Sequence, residues 1–207
     1  MRQEAGRPLS DAEVKKLYDE HLDLVERVQE EQVALLRLLV REHGVRRVLI
    51  EGLTPSGMDN YKEMVTSLGE IEQDRARLGE KRTDELRQRL LEFGAVGRLV
   101  MEGEVEAVPL EDDETLDAAN PVRGGKVQFD AKKVEARHEA MVKRAVEQGE
   151  VVVILLGEAH DLSWAVGRLA PRAEYVRVGT SRLPAERCRV AATPAGTDMP
   201  ALRWRER

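Results

Sequence analysis

Six consecutive apolar residues, Val151-Val-Val-Ile-Leu-Leu156, run straight into Gly157-Glu158-Ala159-His160-Asp161. A run that is apolar at both odd and even positions has no face to turn towards water. It reads as the central, most buried strand of a parallel sheet covered by helices on both sides. The glycine allows a sharp turn off that strand, and the polar residues after it fall at the carboxyl edge of the sheet. In open α/β sheets that edge is where ligands bind.

The rest of the chain supplies the helices such a sheet needs. Ser10 with Glu13 three residues on has the form of a capping box, and apolar residues recur at helical spacing from Leu17 through Val25 and Val33 to Leu39. The spacing predicts one long helix, or two in series, closed by Gly44. Arg47-Val-Leu-Ile-Glu51 is then a short buried strand, with a loop from Gly52 to Gly57 at its carboxyl end. A second helical block is expected from Asp59 to Phe93, broken near Gly69 or Gly79 and ended by Gly94. Short strands are expected over Arg98–Met101 and Glu104–Val108. An acidic stretch from Glu111 to Asp117 and a linker from Asn120 to Gly125 lead to a third helix, Asp130 to Gln148. After the Val151–Leu156 strand come a short helix, Leu162 to Leu169, and a last strand, Glu174 to Val178. Strands alternating with helices define an α/β domain with a mainly parallel sheet flanked by helices and a long N-terminal helix. That domain is expected over residues 1–183, with a flexible tail over 184–207 rich in Arg, Pro and Ala.

Composition narrows the classes of function. The chain is 35% charged and 3% aromatic, with a net charge of −6. An acidic surface argues against nucleic acid and against anionic membranes as partners. The single cysteine, Cys188, forbids an internal disulfide and fits a reducing compartment, and the first residues lack the apolar core of a signal peptide. The expected location is cytoplasmic. Trp164 and Trp204 read as packing residues, and no phosphate-cradling glycine loop or nucleophile elbow occurs.

Two strand ends therefore carry the candidate chemistry. His160, next to a helix start, has a side chain that binds metals and exchanges protons near neutral pH, and Glu158 or Asp161 is placed to orient it or to cap the helix. Glu51 ends a buried strand, where a carboxylate needs a cation, a metal ion or a backbone nest beside it. Arg137, one turn into the third helix, belongs to the residue type that clamps carboxylates or stabilises oxyanions. His138 beside it, and His43, read as solvated helix residues.

The order of these pieces resembles the TraB/ChaN/Tiki superfamily, which is distantly related to erythromycin-esterase-like proteins. The resemblance rests on Val28-Gln29 to Leu36 leading into Val48-Leu-Ile-Glu51-Gly52, and on Ala136-Arg137-His-Glu-Ala-Met141 opening a helix that leads to Gly157-Glu-Ala-His160. It covers about Val28 to Val178 through short motifs. It implies a site of Glu51, Arg137 and His160, with metal-dependent peptidase activity in Tiki-type members and haem binding in ChaN-type members. The expected function is metal-dependent hydrolysis, peptidase-like, with His160 and Glu51 holding a divalent ion (Mn, Zn or Co), Glu158 as general base and Arg137 as oxyanion stabiliser. Haem or small-ligand binding through His160, or a non-catalytic interaction role, are the alternatives. Expected partners are a peptide or small-molecule ligand, with a homo-oligomer left open. The family's first glycine-x-x-histidine motif has no counterpart here. Its nearest candidate is Tyr18-Asp19-Glu20-His21, which lacks the glycine and the preceding strand.

Overall fold

Ser10 starts the first helix as a capping box. Its Oγ accepts a hydrogen bond from the Glu13 N–H, and the Glu13 carboxylate accepts from the Ser10 N–H at 2.8 Å. The helix α1, Asp11–His43, then runs without a break until Gly44, whose left-handed backbone (φ 65°) closes it with an N–H bond to Val40 O. At 33 residues it is about 50 Å long. The computed structural model describes residues 9–179 except Leu78, Gly125, Glu150 and Glu158. The tail expected over 184–207, with Cys188 and Trp204, lies outside the described residues.

After α1 come β1 (Arg47–Ile50), α2 (Met58–Gln73), a short turn of 3-10 helix (Arg75–Arg77), α3 (Glu80–Met101) and β2 (Glu106–Pro109). Then follow α4 (Asp113–Ala119), the hairpin strands β3 (Val122–Arg123) and β4 (Lys126–Val127), α5 (Ala131–Val146), β5 (Val153–Leu155) and α6 (Ser163–Leu169). The main sheet has the order β2-β1-β5 and is parallel throughout, with Leu49 opposite Val108 on one side and Ile154 on the other.

Strand alternation divides the core in two. Val48 is wholly buried and joins Val33 and Leu36 of α1 with Ala95, Val96 and Leu99 of α3. Leu49 points the opposite way, towards Leu110 just past β2, Met141 and Val142 of α5, Leu162 at the cap of α6 and Ala165 within it. The sheet is thus the middle layer between α1 with α3 and α5 with α6. Side chains of α1 and α3 also lock their outer faces, where Arg87 bonds Asp23 and Glu26, and Arg37 bonds Glu102 and Glu104. Among the described residues no helix is long and apolar enough to cross a membrane.

Three expectations are corrected. The Val151–Leu156 run is not the central, most buried strand: only residues 153–155 are in the ladder, they are half-buried, and β1 holds the centre. Apolarity at both parities reports helices over both faces, with Val153 and Leu155 meeting one core and Ile154 the other, and carries no information about position across the sheet. Arg98–Met101 is helical. Gly94 (φ 76°, ψ −179°) breaks the helix where expected, at a kink within α3, and a second helical segment follows in which Ala95, Val96 and Leu99 are buried at helical spacing. The buried Gln29 amide donates to Leu91 O at 2.6 Å, meeting a carbonyl just before that kink. Residues 174–178 form no strand. Val176 and Val178 lie exposed, and only Tyr175 packs onto the core.

The central place of β1 sets a stability order. Leu49→Ala, at a side chain 1% exposed, should cost about 2–5 kcal/mol. Ile154→Ala, on the half-buried edge strand, should cost clearly less in the same denaturant titration. Equal costs would contradict the sheet order.

Candidate functional site

Glu51 follows β1 directly, and its N–H continues the ladder to Leu155 O at 3.2 Å. Its side chain therefore opens at the carboxyl edge, beside the turn that leaves β5. One oxygen, Oε2, accepts the Gly157 N–H at 2.5 Å. The other, Oε1, lies 2.9 Å from His160 Nε2 and 3.3 Å from Arg137 Nη2. Gly157 suits this approach, since a Cβ there would stand 3.1 Å from Glu51 Oε2 and the carboxylate would have to shift by a few tenths of an ångström. The turn closes on itself through the His160 N–H to Gly157 O, which directs the imidazole back over the sheet.

Arg137 reaches the edge from the second turn of α5, which is capped by Asp130 accepting from the N–H groups of Lys132 and Lys133. Its principal partner is Glu111, two residues past β2. Nε donates to Glu111 Oε2 and Nη2 to Glu111 Oε1, both at 2.5 Å, a two-point clamp. The Glu111 carboxylate is fully buried and also accepts the Gly52 N–H at 2.7 Å, while the Glu111 N–H binds Leu53 O. Hydrogen bonding to Glu111 holds the Arg137 guanidinium above its ordinary range, with the charges of Glu111 and Glu51 adding to it. Two carboxylates, those of Glu111 and Glu51, thus share the one guanidinium.

His138, the residue after Arg137, completes the group. Its Nε2 lies 2.9 Å from His160 Nδ1, with the rings edge to face at a centroid distance of 5.1 Å. Both nitrogens of His160 are thus engaged, one by a carboxylate and one by an imidazole. Burial holds the His138 imidazole below its ordinary value of 6.5, helped by His160 and Arg137 and opposed by Asp161 and Glu51. Asp161 serves the following helix, its carboxylate accepting the Ser163 N–H at 2.9 Å, and that bond holds it below the usual carboxylate range.

The structure therefore brings together Glu51, Arg137 and His160 from the sequence-derived set. Glu158 lies outside the described residues. His21 is exposed on α1 and His43 on its last turn. Two members were not singled out by sequence reasoning: Glu111, one of several acidic residues in a row, and His138, which reads as a helix-face residue. The signal that could have found Glu111 is its position just past an apolar strand, where a carboxylate meets the same sheet edge as Glu51.

Glu51 Oε1 and His160 Nε2, 2.9 Å apart, are in ion-pair or hydrogen-bond contact. Bonds of about 2.0–2.2 Å at the tetrahedral angle put two ligand atoms about 3.3–3.6 Å apart, so the two side chains would have to separate by about half an ångström to admit a zinc ion. The pair offers one oxygen and one nitrogen donor at the open edge of the sheet. Among the described residues no group of three or more His, Cys, Asp or Glu side chains forms a metal-ligand cluster, so further ligands would be water or residues outside that set.

The fold and this cluster define a three-layer α/β domain with a charged site at the carboxyl edge of a parallel sheet. The chain matches no protein-family model, no curated protein and no solved structure.

The His138 environment has a pH consequence. An imidazole that takes its proton less readily in the fold than when unfolded contributes stability above about pH 6.5, lost as pH falls through the lower folded value. Unfolding titrations should show a loss of stability across that window that is smaller in His138→Gln. An unchanged loss in the variant would mean that His138 is not the buried neutral group.

Proposed function

We propose that this chain is a metal-dependent hydrolase of the TraB/ChaN/Tiki type acting on a carbonyl substrate, with a peptide bond as the favoured class. The observation that carries the reading is the meeting of Glu51 and His160, from the ends of two adjacent strands, with donor atoms 2.9 Å apart. A divalent ion at that pair would supply Lewis-acid polarisation and a water of lowered pKa. The protein's own groups prepare the place for it. The Gly157 N–H fixes one Glu51 oxygen and Arg137 approaches the other, so the carboxylate has one orientation. Glu111 neutralises Arg137, which keeps the guanidinium from cancelling the Glu51 charge. His138 holds His160 at Nδ1 and so points Nε2 at Glu51, the role an outer hydrogen-bond partner plays for a ligating imidazole. Glu158, the residue after Gly157 in sequence, is the proposed general base.

The unbroken chain from His138 through His160 to Glu51 favours one second reading, a carboxylate–histidine pair that draws a proton from water without an ion. Sensitivity to a chelator separates the two.

Calorimetric titration with Mn, Zn or Co near neutral pH should show one binding site, lost in both His160→Ala and Glu51→Gln, while the thermal midpoint of the ion-free protein moves little. Absence of binding by the intact chain would end the metal-dependent reading.

A further inference from the structure

The amino edge of the sheet, at the other end of β1 from Glu51, holds a cleft of about 310 Å³. It opens there because β1 and β5 pair only from Val48 and Val153 onward, and before that point the two segments arrive from different helices. One wall is the turn from α1 into β1, His43 to Arg47. The other is Gln148, just past α5, with Val151 and Val152. The volume lies at the lower end of the range of small-ligand sites.

The lining has two parts. Leu49 and Val45, 1% and 6% exposed, form an apolar floor together with Val152. His43, Arg46 and Arg47 form a basic rim, and among the described residues no carboxylate lines the cleft. In a chain of net charge −6 this is a local reversal of sign. Local structure accounts for only part of it. His43 belongs to the last turn of α1, where a basic side chain complements the helix dipole. Arg47 lies 3.6 Å from Glu106, beyond hydrogen-bond length, and both side chains are more than half exposed, so the pair holds the guanidinium weakly. Arg46 has no carboxylate within ion-pair distance among the described residues. Its backbone is nevertheless fixed, since its carbonyl accepts the Glu106 N–H at 2.7 Å. The closing carbonyls of α1 are engaged as well, Val40 O by the Gly44 N–H and Leu39 O by the Val45 N–H.

We infer that this cleft binds a small organic monoanion, a carboxylate on a short apolar tail. A guanidinium fork matches a carboxylate at two points, and the floor of Leu49, Val45 and Val152 takes the tail. A dianion such as phosphate suits the place less well, because the carboxyl ends of α1 and α5 bring partial negative charge to the same edge. The inference does not depend on the hydrolase reading. The strand β1 separates the two places by about 13 Å, so a ligand in the cleft leaves Glu51 and His160 open.

The test is an amide-resolved NMR titration of the full chain with hexanoate, compared with hexanol, acetate and inorganic phosphate. Hexanoate should shift the amides of Gly44, Val45 and Val151. It should bind at least about tenfold more tightly than acetate, which lacks the tail, and than hexanol, which lacks the charge. Phosphate should bind more weakly than hexanoate. Arg46→Gln with Arg47→Gln should weaken hexanoate at least about tenfold with unchanged circular dichroism. Arg41→Gln should leave it as it is, since that arginine pairs with Glu42 and does not line the cleft. No binding of hexanoate, equal binding of hexanol or acetate, or tighter binding of phosphate would overturn the inference. So would shifts centred on Gly157 and His160, an affinity that survives the double substitution, or an equal loss in Arg41→Gln.

Discussion

The buried ion pair between Arg137 and Glu111 is the contact on which the carboxyl edge of this sheet depends. Taking a carboxylate wholly out of water costs several kcal/mol unless its oxygens are filled. Glu111 fills them with two guanidinium donors and the Gly52 N–H. Those bonds tie three elements together: the residue beyond β2, the turn beyond β1 and the second turn of α5. Remove the pair, and Glu51 keeps only the Gly157 N–H and His160 to hold it. The pair contributes little net stability for its desolvation cost.

That arrangement explains how a charge-rich, aromatic-poor chain assembles a polar centre over an aliphatic core. Val48 and Leu49 send their side chains to opposite helical layers, and the next residues but one leave the ladder at the point where both layers end. Charge collects there, at strand ends that carry Glu51, Glu111 and His160. The proposed chemistry uses this opening.

Much of this was legible from residue patterns. The Ser10–Glu13 box, Gly44 as a left-handed cap, the strand before Glu51 and the turn at Gly157 follow from local rules, and the structure shows each of them. Local rules fail where long-range packing decides. Gly94 has the conformation of a helix terminator, yet Val96 and Leu99 find the α1 face and restart the helix. The order of strands across the sheet depends on which ends meet in space, so the most apolar strand lies at an edge. Glu111 was hidden because a buried carboxylate and a solvated one are the same letter, and only Arg137, 26 residues away, distinguishes it from its acidic neighbours. His138 was hidden for a similar reason, since its partner His160 comes from a different element.

The central claim is that Arg137 and Glu111 act as one unit that positions Glu51. A double-mutant cycle on stability tests it most directly. Arg137→Met alone should cost about 3–5 kcal/mol, because it strands a fully buried carboxylate. Glu111→Leu added to it should recover a large part of that loss, giving a coupling of at least about 2 kcal/mol. Costs that add to within about 0.5 kcal/mol would contradict the account, since independent residues would then occupy the edge and Glu51 would need another anchor.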